Sequence, residues 1–116
     1  MKTLFILNDP PYGTERSFNG LRLAKALQKY QPDMDVTVFL MADAVSCAKR
    51  NQKVPSGYYN LEVMLGSVLR KGQVLLCGTC MAARGITDEE VIDGAERSTM
   101  DELAEQTAFA DKVLIF

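Results

Sequence analysis

No histidine occurs in the 116 residues of this chain. That absence removes Cys–His hydrolase chemistry, histidine general bases and histidine-ligated metals from what the chain can do alone. Thiols, carboxylates, Lys, Arg and Tyr must carry any reaction. No apolar run approaches the ~20 residues that a membrane-spanning helix needs. Lys2 alone precedes the first short apolar segment and no small-residue cleavage site follows, so no secretory signal is expected. Basic excess is missing too: 13 Lys and Arg face 15 Asp and Glu, for a net charge of −2. The two signs are interspersed along the sequence, which gives no electrostatic footprint for nucleic acid or anionic lipid. There is no Gly/Ser linker, internal repeat or low-complexity tract. One domain over residues 1–116 is expected, long enough to bury roughly two-thirds of its unfolded surface. Three cysteines without an export signal point to free thiols in a reducing cytoplasm.

What is present reads as alternating strands and helices. "TLFILN" (Thr3–Asn8) is a short apolar run, as in a strand buried on both faces of a parallel sheet. "DPPYG" (Asp9–Gly13) breaks it, since adjacent prolines cannot continue a central strand. A helix from about Thr14 to Lys29 follows, with Thr14 as N-cap. "DVTVFLM" (Asp35–Met41) is a second strand, "ADAVSCAK" (Ala42–Lys49) a short helix and residues 51–59 a loop. Asn60 caps a helix over "LEVMLGSVLRK", and "GQVLLC" (Gly72–Cys77) is a third strand. Thr87–Glu90 has capping-box form, and Ser98–Asp101 is a weaker version that starts a helix to about Ala110. Residues 95–98 suit a short fourth strand and Lys112–Phe116 a fifth. The pattern predicts a small doubly wound α/β domain, flavodoxin-like, with a mainly parallel five-stranded sheet and helices on both faces.

In such a sheet, chemistry collects at the carboxyl ends of the strands. Those ends are Asn8–Gly13, Met41–Asp43, Cys77–Cys80 and Arg97–Thr99. "VLLCGTCMAARGI" (Val74–Ile86) therefore puts a Cys-x-x-Cys on the functional edge. A helical turn at "CMAAR" would aim unpaired N–H groups at a sulfur and stabilise the thiolate, the reactive form of cysteine, with Arg84 adding positive charge. A thiolate so stabilised needs no general base. Four readings stay open on the residues alone: a nucleophilic thiol, a thioredoxin-like dithiol, part of a zinc site, or small residues packed in a core. The zinc reading would need Cys47 as third ligand and a carboxylate as fourth, and no second Cys pair exists. Cys47 itself, inside an apolar short helix, reads as packing. "DPPYGTERS" has neither Gly-x-Gly-x-x-Gly nor Gly-Lys-Ser/Thr and is not a phosphate loop. Its Tyr12 and Gly13, with Asn8 before it, read as residues shaping the edge, as do Asp43 and Glu96. Tyr58 and Tyr59 lie in the long loop, exposed against another subunit or capping their own core.

Six segments occur in order: "NDPPYGTERSFNGLRLAKAL", "VFLMADAV", "GYYNLEVML", "CGTCMAARGI", "IDGAE" and "ADKVLIF". Together they resemble the DsrE/DsrF/TusD-like sulfur-relay superfamily, and within it the YchN-like proteins, from end to end. The resemblance implies a DsrEFH-like fold and a cytoplasmic carrier of sulfane sulfur, held as a persulfide on a cysteine at the end of the third strand. The carrier cysteine of relay members lies upstream of a basic-Gly pair, which maps onto Cys77 before Arg84–Gly85. Cys80 is the second cysteine of the YchN-like form and would assist. Homo-oligomers, hexamers or trimers, are implied, together with sulfur-donor and acceptor proteins, while no metal or cofactor is. The competing expectations are a homo-oligomeric binding or assembly protein whose cysteines pack at a subunit seam, and a thiol redox protein.

Overall fold

A computed structural model describes residues 1–116. Five strands form one all-parallel sheet: β1 (Lys2–Leu7), β2 (Asp35–Leu40), β3 (Gln73–Cys77), β4 (Glu96–Ser98) and β5 (Lys112–Ile115). Their order across the sheet is β4-β3-β2-β1-β5. The five-stranded α/β sheet is as the sequence predicts, but its order is not the 2-1-3-4-5 of flavodoxin. Here the first three crossovers step the same way, and only the last one reverses.

That sequence of steps places the helices. Right-handed crossovers put α1 (Arg16–Tyr30), α2 (Leu61–Leu69) and α3 (Gly78–Ala83) on one face of the sheet, where α1 packs on α2. The return from β4 past β1 to β5 carries α4 (Met100–Phe109) across the other face, where it meets β1. The three inner strands are thereby covered twice. Leu4–Leu7, Val36, Val38–Leu40 and Val74–Leu76 are all buried, and this is why they read as unbroken apolar runs. α1 buries Ser17, Gly20, Leu21, Ala24 and Gln28, a three-to-four spacing that marks one helical stripe.

Local chemistry sets most helix ends. Asn60 caps α2 by accepting the Val63 N–H at 3.1 Å, as its position predicts. Two expected starts shift. Thr14 does not cap α1: its hydroxyl donates to the Asp9 carboxylate at 3.0 Å, and the helix begins at Arg16 behind an uncapped Glu15. Ser98 is the last residue of β4, not a cap. Thr99 caps α4 instead, accepting the Glu102 N–H at 3.1 Å, while the Ser98 hydroxyl donates to the Glu102 carboxylate. Residues Ala42–Ala48 form a 3-10 segment, and the Thr87/Glu90 box closes a single turn.

Two glycines show what the packing demands. A Cβ on Gly72 would sit 2.5 Å from the Val36 carbonyl and 2.8 Å from the Gln28 amide nitrogen, so the chain approaches closely just before β3. Gly66, inside α2, has nothing within 4 Å of its would-be Cβ. The same substitution should therefore act in opposite directions. Gly72→Ala is expected to lower unfolding stability by about 1–3 kcal/mol. Gly66→Ala should raise it by roughly 0.5–1 kcal/mol, because alanine favours a helix interior. Urea unfolding of both variants checks the pair, and equal shifts would contradict this packing.

Candidate functional site

β3 ends at Cys77, which is also the N-cap of α3. Its sulfur takes the place a Ser or Asp oxygen usually fills, accepting the Cys80 N–H at 3.3 Å. The Thr79 hydroxyl lies 3.3 Å from the same sulfur. Burial pushes the Cys77 thiol up, but hydrogen bonds from the Cys80 thiol, the Thr79 hydroxyl and the N–H groups of Cys80 and Thr79 outweigh it. The net result is a thiol held below its ordinary value.

Cys80 moves the other way. Burial raises it first, and its hydrogen bond to Cys77 raises it further, because the proton is held between the sulfurs. The Ala42 N–H donates to the Cys80 sulfur at 3.2 Å from a residue in the left-handed region, φ +50°. Of the two, Cys77 is therefore the more readily ionised, with Cys80 as the donor that favours its charge.

Arg84 and Gly85 end the helix. The Ile86 N–H bonds the Met81 carbonyl and the Gly85 N–H bonds the Ala82 carbonyl, with Gly85 at φ +66°. This is the Schellman closure, for which glycine is the favoured residue. The Arg84 guanidinium donates to the Cys80 carbonyl at 3.0 Å and grips Asp43 at 2.8 and 2.9 Å. Its charge is matched by Asp43 and its contact is with the helix backbone rather than with a sulfur. Arg84 and Asp43 therefore clamp α3 against the segment that carries Ala42.

The cysteines, Asp43 and Arg84 come together; the other sequence candidates do different work. Asn8 donates to the Phe116 carbonyl at 3.2 Å and ties down the last residue after β5. The Tyr12 hydroxyl donates to Gln52 at 2.6 Å and accepts the Leu61 N–H at 3.2 Å, so it pins the long loop to α2. Gly13 turns the chain at φ +102°. Tyr12, Phe18, Tyr58 and Tyr59 form one aromatic group, with Phe18 and Tyr59 stacked at 4.0 Å. Cys47 is fully buried, faces the Asp9 carbonyl at 3.7 Å and is pushed up to about 12, chiefly by desolvation. No three His, Cys, Asp or Glu side chains are grouped as metal ligands would be.

A cleft of about 500 Å³ opens beside Cys77, lined by Gly78, Thr79 and Ala82 of α3 and by Arg97–Met100. Arg97 lies along it, donating to the Gly78 carbonyl at 3.1 Å and to Asp88 at 3.0 Å. A Cβ on Gly78 would meet Arg97 Cγ at 3.0 Å, so the glycine lets that side chain pass. Glu96 lies at the far end of β4 and is not part of the lining. Of these residues, Arg97–Thr99 were legible as a strand end. Thr79 and Ala42 fall within the strand ends Cys77–Cys80 and Met41–Asp43, but nothing in the sequence marks them as partners of the sulfurs, because that role comes from how α3 meets the segment after β2.

These features define a class: a small parallel α/β protein with a thiolate-stabilising cysteine pair on the carboxyl edge of its sheet. Residues 1–116 match the DsrE/DsrF-like family, and the chain belongs to it. Protein YchN of Escherichia coli (strain K12) is 45% identical over 116 residues, covering 99% of this chain and 98% of that one. The crystal structure of that E. coli protein matches with a TM-score of 0.94. An uncharacterized protein of Methanocaldococcus jannaschii is 35% identical over 117 residues, covering both chains fully. A protein of unknown function from Methanobacterium thermoautotrophicum shares the fold alone, at 12% identity and a TM-score of 0.72 over 97% of both chains.

Alkylation tests the asymmetry, since only the thiolate reacts. With iodoacetamide under native conditions, Cys77 should react first and keep reacting at a pH where an ordinary thiol has become protonated. Cys80 should respond only at higher pH, and Cys47 only on unfolding. Peptide mapping across a pH series reads the order. A Cys77 profile at or above that of a free thiol would overturn it.

Proposed function

We propose that the protein carries sulfane sulfur as a persulfide on Cys77, with Cys80 assisting. The supporting observation is the Cys77 sulfur itself, whose ionisation is favoured by the Cys80 N–H and the Thr79 hydroxyl at 3.3 Å beside an open cleft. Membership of the DsrE/DsrF-like family supports the same chemistry. In the first step the Cys77 thiolate attacks the outer sulfur of a donor persulfide. A new S–S bond forms at Cys77, the donor's own S–S bond breaks, and the donor leaves as a thiolate. In the second step an acceptor thiolate attacks the outer sulfur on Cys77, taking it and returning Cys77 to its thiolate. No electrons are gained or lost overall, so neither step calls for a cofactor.

The Cys80 thiol has two uses in this scheme. It donates to whichever sulfur at Cys77 bears the charge, and as a thiolate it can attack Cys77 Sγ, expelling hydrosulfide and leaving a Cys77–Cys80 disulfide. The site would operate in the cytoplasm, where thiols stay reduced. No helix is long and apolar enough to cross a membrane.

Intact mass after incubation with glutathione persulfide tests the carrier. The wild type should gain one sulfur, Cys80→Ala should still gain it, and Cys77→Ala should not. An undiminished gain in Cys77→Ala, or none in either the wild type or Cys80→Ala, would sink the proposal. A wild type that only loses its two thiol hydrogens, with Cys80→Ala gaining no sulfur, would instead mark a dithiol redox protein.

We also infer that copies of the chain assemble into a homotrimer or homohexamer. β5 is an edge strand with one side unpaired, and Ile115 on it and Phe109 at the end of α4 are 68% and 71% exposed, apolar surface that a second copy would cover. Light scattering should give a mass of several protomers, and Ile115→Lys should reduce it; a monomeric wild type contradicts the inference.

A further inference from the structure

The opposite edge of the sheet carries a second concavity. A cleft of about 440 Å³ lies between the C-terminal ends of α1 and α2, lined by Lys25, Gln28 and Lys29 from the first and Ser67, Arg70 and Lys71 around the second. Four of its seven lining residues are cations and none is acidic. This is unexpected in a chain where Asp and Glu outnumber Lys and Arg by 15 to 13.

The ion pairs make the contrast sharper. Lys2, Arg16, Lys49, Arg50, Arg84 and Arg97 each have a carboxylate partner within 4.0 Å. Lys25, Lys29, Arg70 and Lys71 have none. Cations near a helix C-terminus do complement its partial negative charge, which accounts for Lys29 and Arg70 individually. It does not account for Lys25, which sits a turn further back, nor for the absence of every carboxylate from the lining. Four like charges facing one space repel each other unless an anion joins them.

The space is also preformed. Gln28 is buried between the two helices and donates to the Val68 carbonyl at 3.0 Å, and the chain at Gly72 passes close against both. The helix ends that carry the cations are therefore fixed relative to one another, which lowers the ordering cost of binding. Ser67 adds a hydroxyl able to donate to an oxyanion. A cleft of this size admits a compact ligand.

We propose that this cleft binds a small phosphate-bearing molecule through its phosphate or diphosphate group, at a site separate from the cysteine edge. Titration of the full chain with inorganic pyrophosphate tests it by ¹H–¹⁵N spectra and calorimetry. Saturable binding is expected, with shifts confined to the ends of α1 and α2 and none at Cys77–Cys80. Lys29→Gln combined with Arg70→Gln should weaken binding by about tenfold or more, the loss expected when charge-assisted hydrogen bonds are removed. Lys53→Gln combined with Lys112→Gln, which removes two unpaired cations elsewhere, should leave affinity unchanged. Absence of saturable binding would overturn the proposal, as would equal weakening in both double variants. A short single-stranded RNA that binds more tightly than pyrophosphate, with shifts spreading beyond the cleft, would overturn it in favour of a nucleic-acid surface.

Discussion

Parallel pairing is the constraint from which the rest of this molecule follows. Parallel strands need a crossover between each pair, so every strand ends on the same edge and the long return helices α1 and α2 end on the other. One edge thereby collects β-strand carboxyl ends and the loops that follow them: the Cys77 cap, the Ala42 amide and the Arg97–Thr99 turn. The opposite edge collects the C-terminal ends of α1 and α2, with their lysines and Arg70. The edges are separated by the length of β3, about 17 Å for five residues. Two chemically distinct surfaces on so small a domain are a consequence of chain direction.

Cys77 shows how one residue can serve fold and chemistry together. A helix start leaves N–H groups without partners, and some side-chain acceptor must meet them. A thiolate is a better acceptor than a thiol, so capping α3 and charging the sulfur favour each other. The helix is only six residues long, and its far end is held by the Gly85 turn and the Arg84–Asp43 clamp. The clamp also anchors the segment whose Ala42 amide meets the Cys80 sulfur. Loss of Arg84 would thus be felt first at Cys80 and only through it at Cys77.

The strands were legible because burial on both faces writes itself as unbroken apolar runs, and "TLFIL", "VTVFL" and "VLLC" do so. The cap of α2 was legible because the Asn60 side-chain oxygen meets the Val63 N–H while only its amide nitrogen is taken up elsewhere, by the Gln52 carbonyl. Thr14 and Ser98 misled for one reason: each hydroxyl found a carboxylate, Asp9 or Glu102, and the cap moved on or was left empty. Strand order was not legible, since β1 can accept β5 on its free side only after β2 has taken the other, and nothing local records that. At the site, the Cys-x-x-Cys and its strand end could be read directly. The roles of Thr79 and Ala42 as its hydrogen-bond partners could not, though both lie in strand ends the sequence marks, and the roles of Asn8 and Tyr12 as ties depend on partners 108 and 40 residues away. The basic cleft was hidden by the same distance: Lys25 and Lys29 lie about 40 residues from Arg70 and Lys71, and only the fold sets the two pairs together.

Comparison of two of the cysteines isolates what favours a thiolate here. Cys77 ends β3 and Cys47 lies in the segment after β2, and both are buried. Desolvation is the largest influence on each, and it opposes the charged form in both. The outcomes diverge because Cys47 is wholly enclosed and the hydrogen bonds from Ser17 and its own N–H offset only part of that burial, whereas at Cys77 the N–H, O–H and S–H donors outweigh a shallower one. Deep burial keeps a proton on sulfur, and donors aimed at the sulfur favour its loss. The ease of ionising a thiol in this fold is therefore set by depth and donors together, and the start of a helix, where N–H groups are left over, supplies the donors at Cys77.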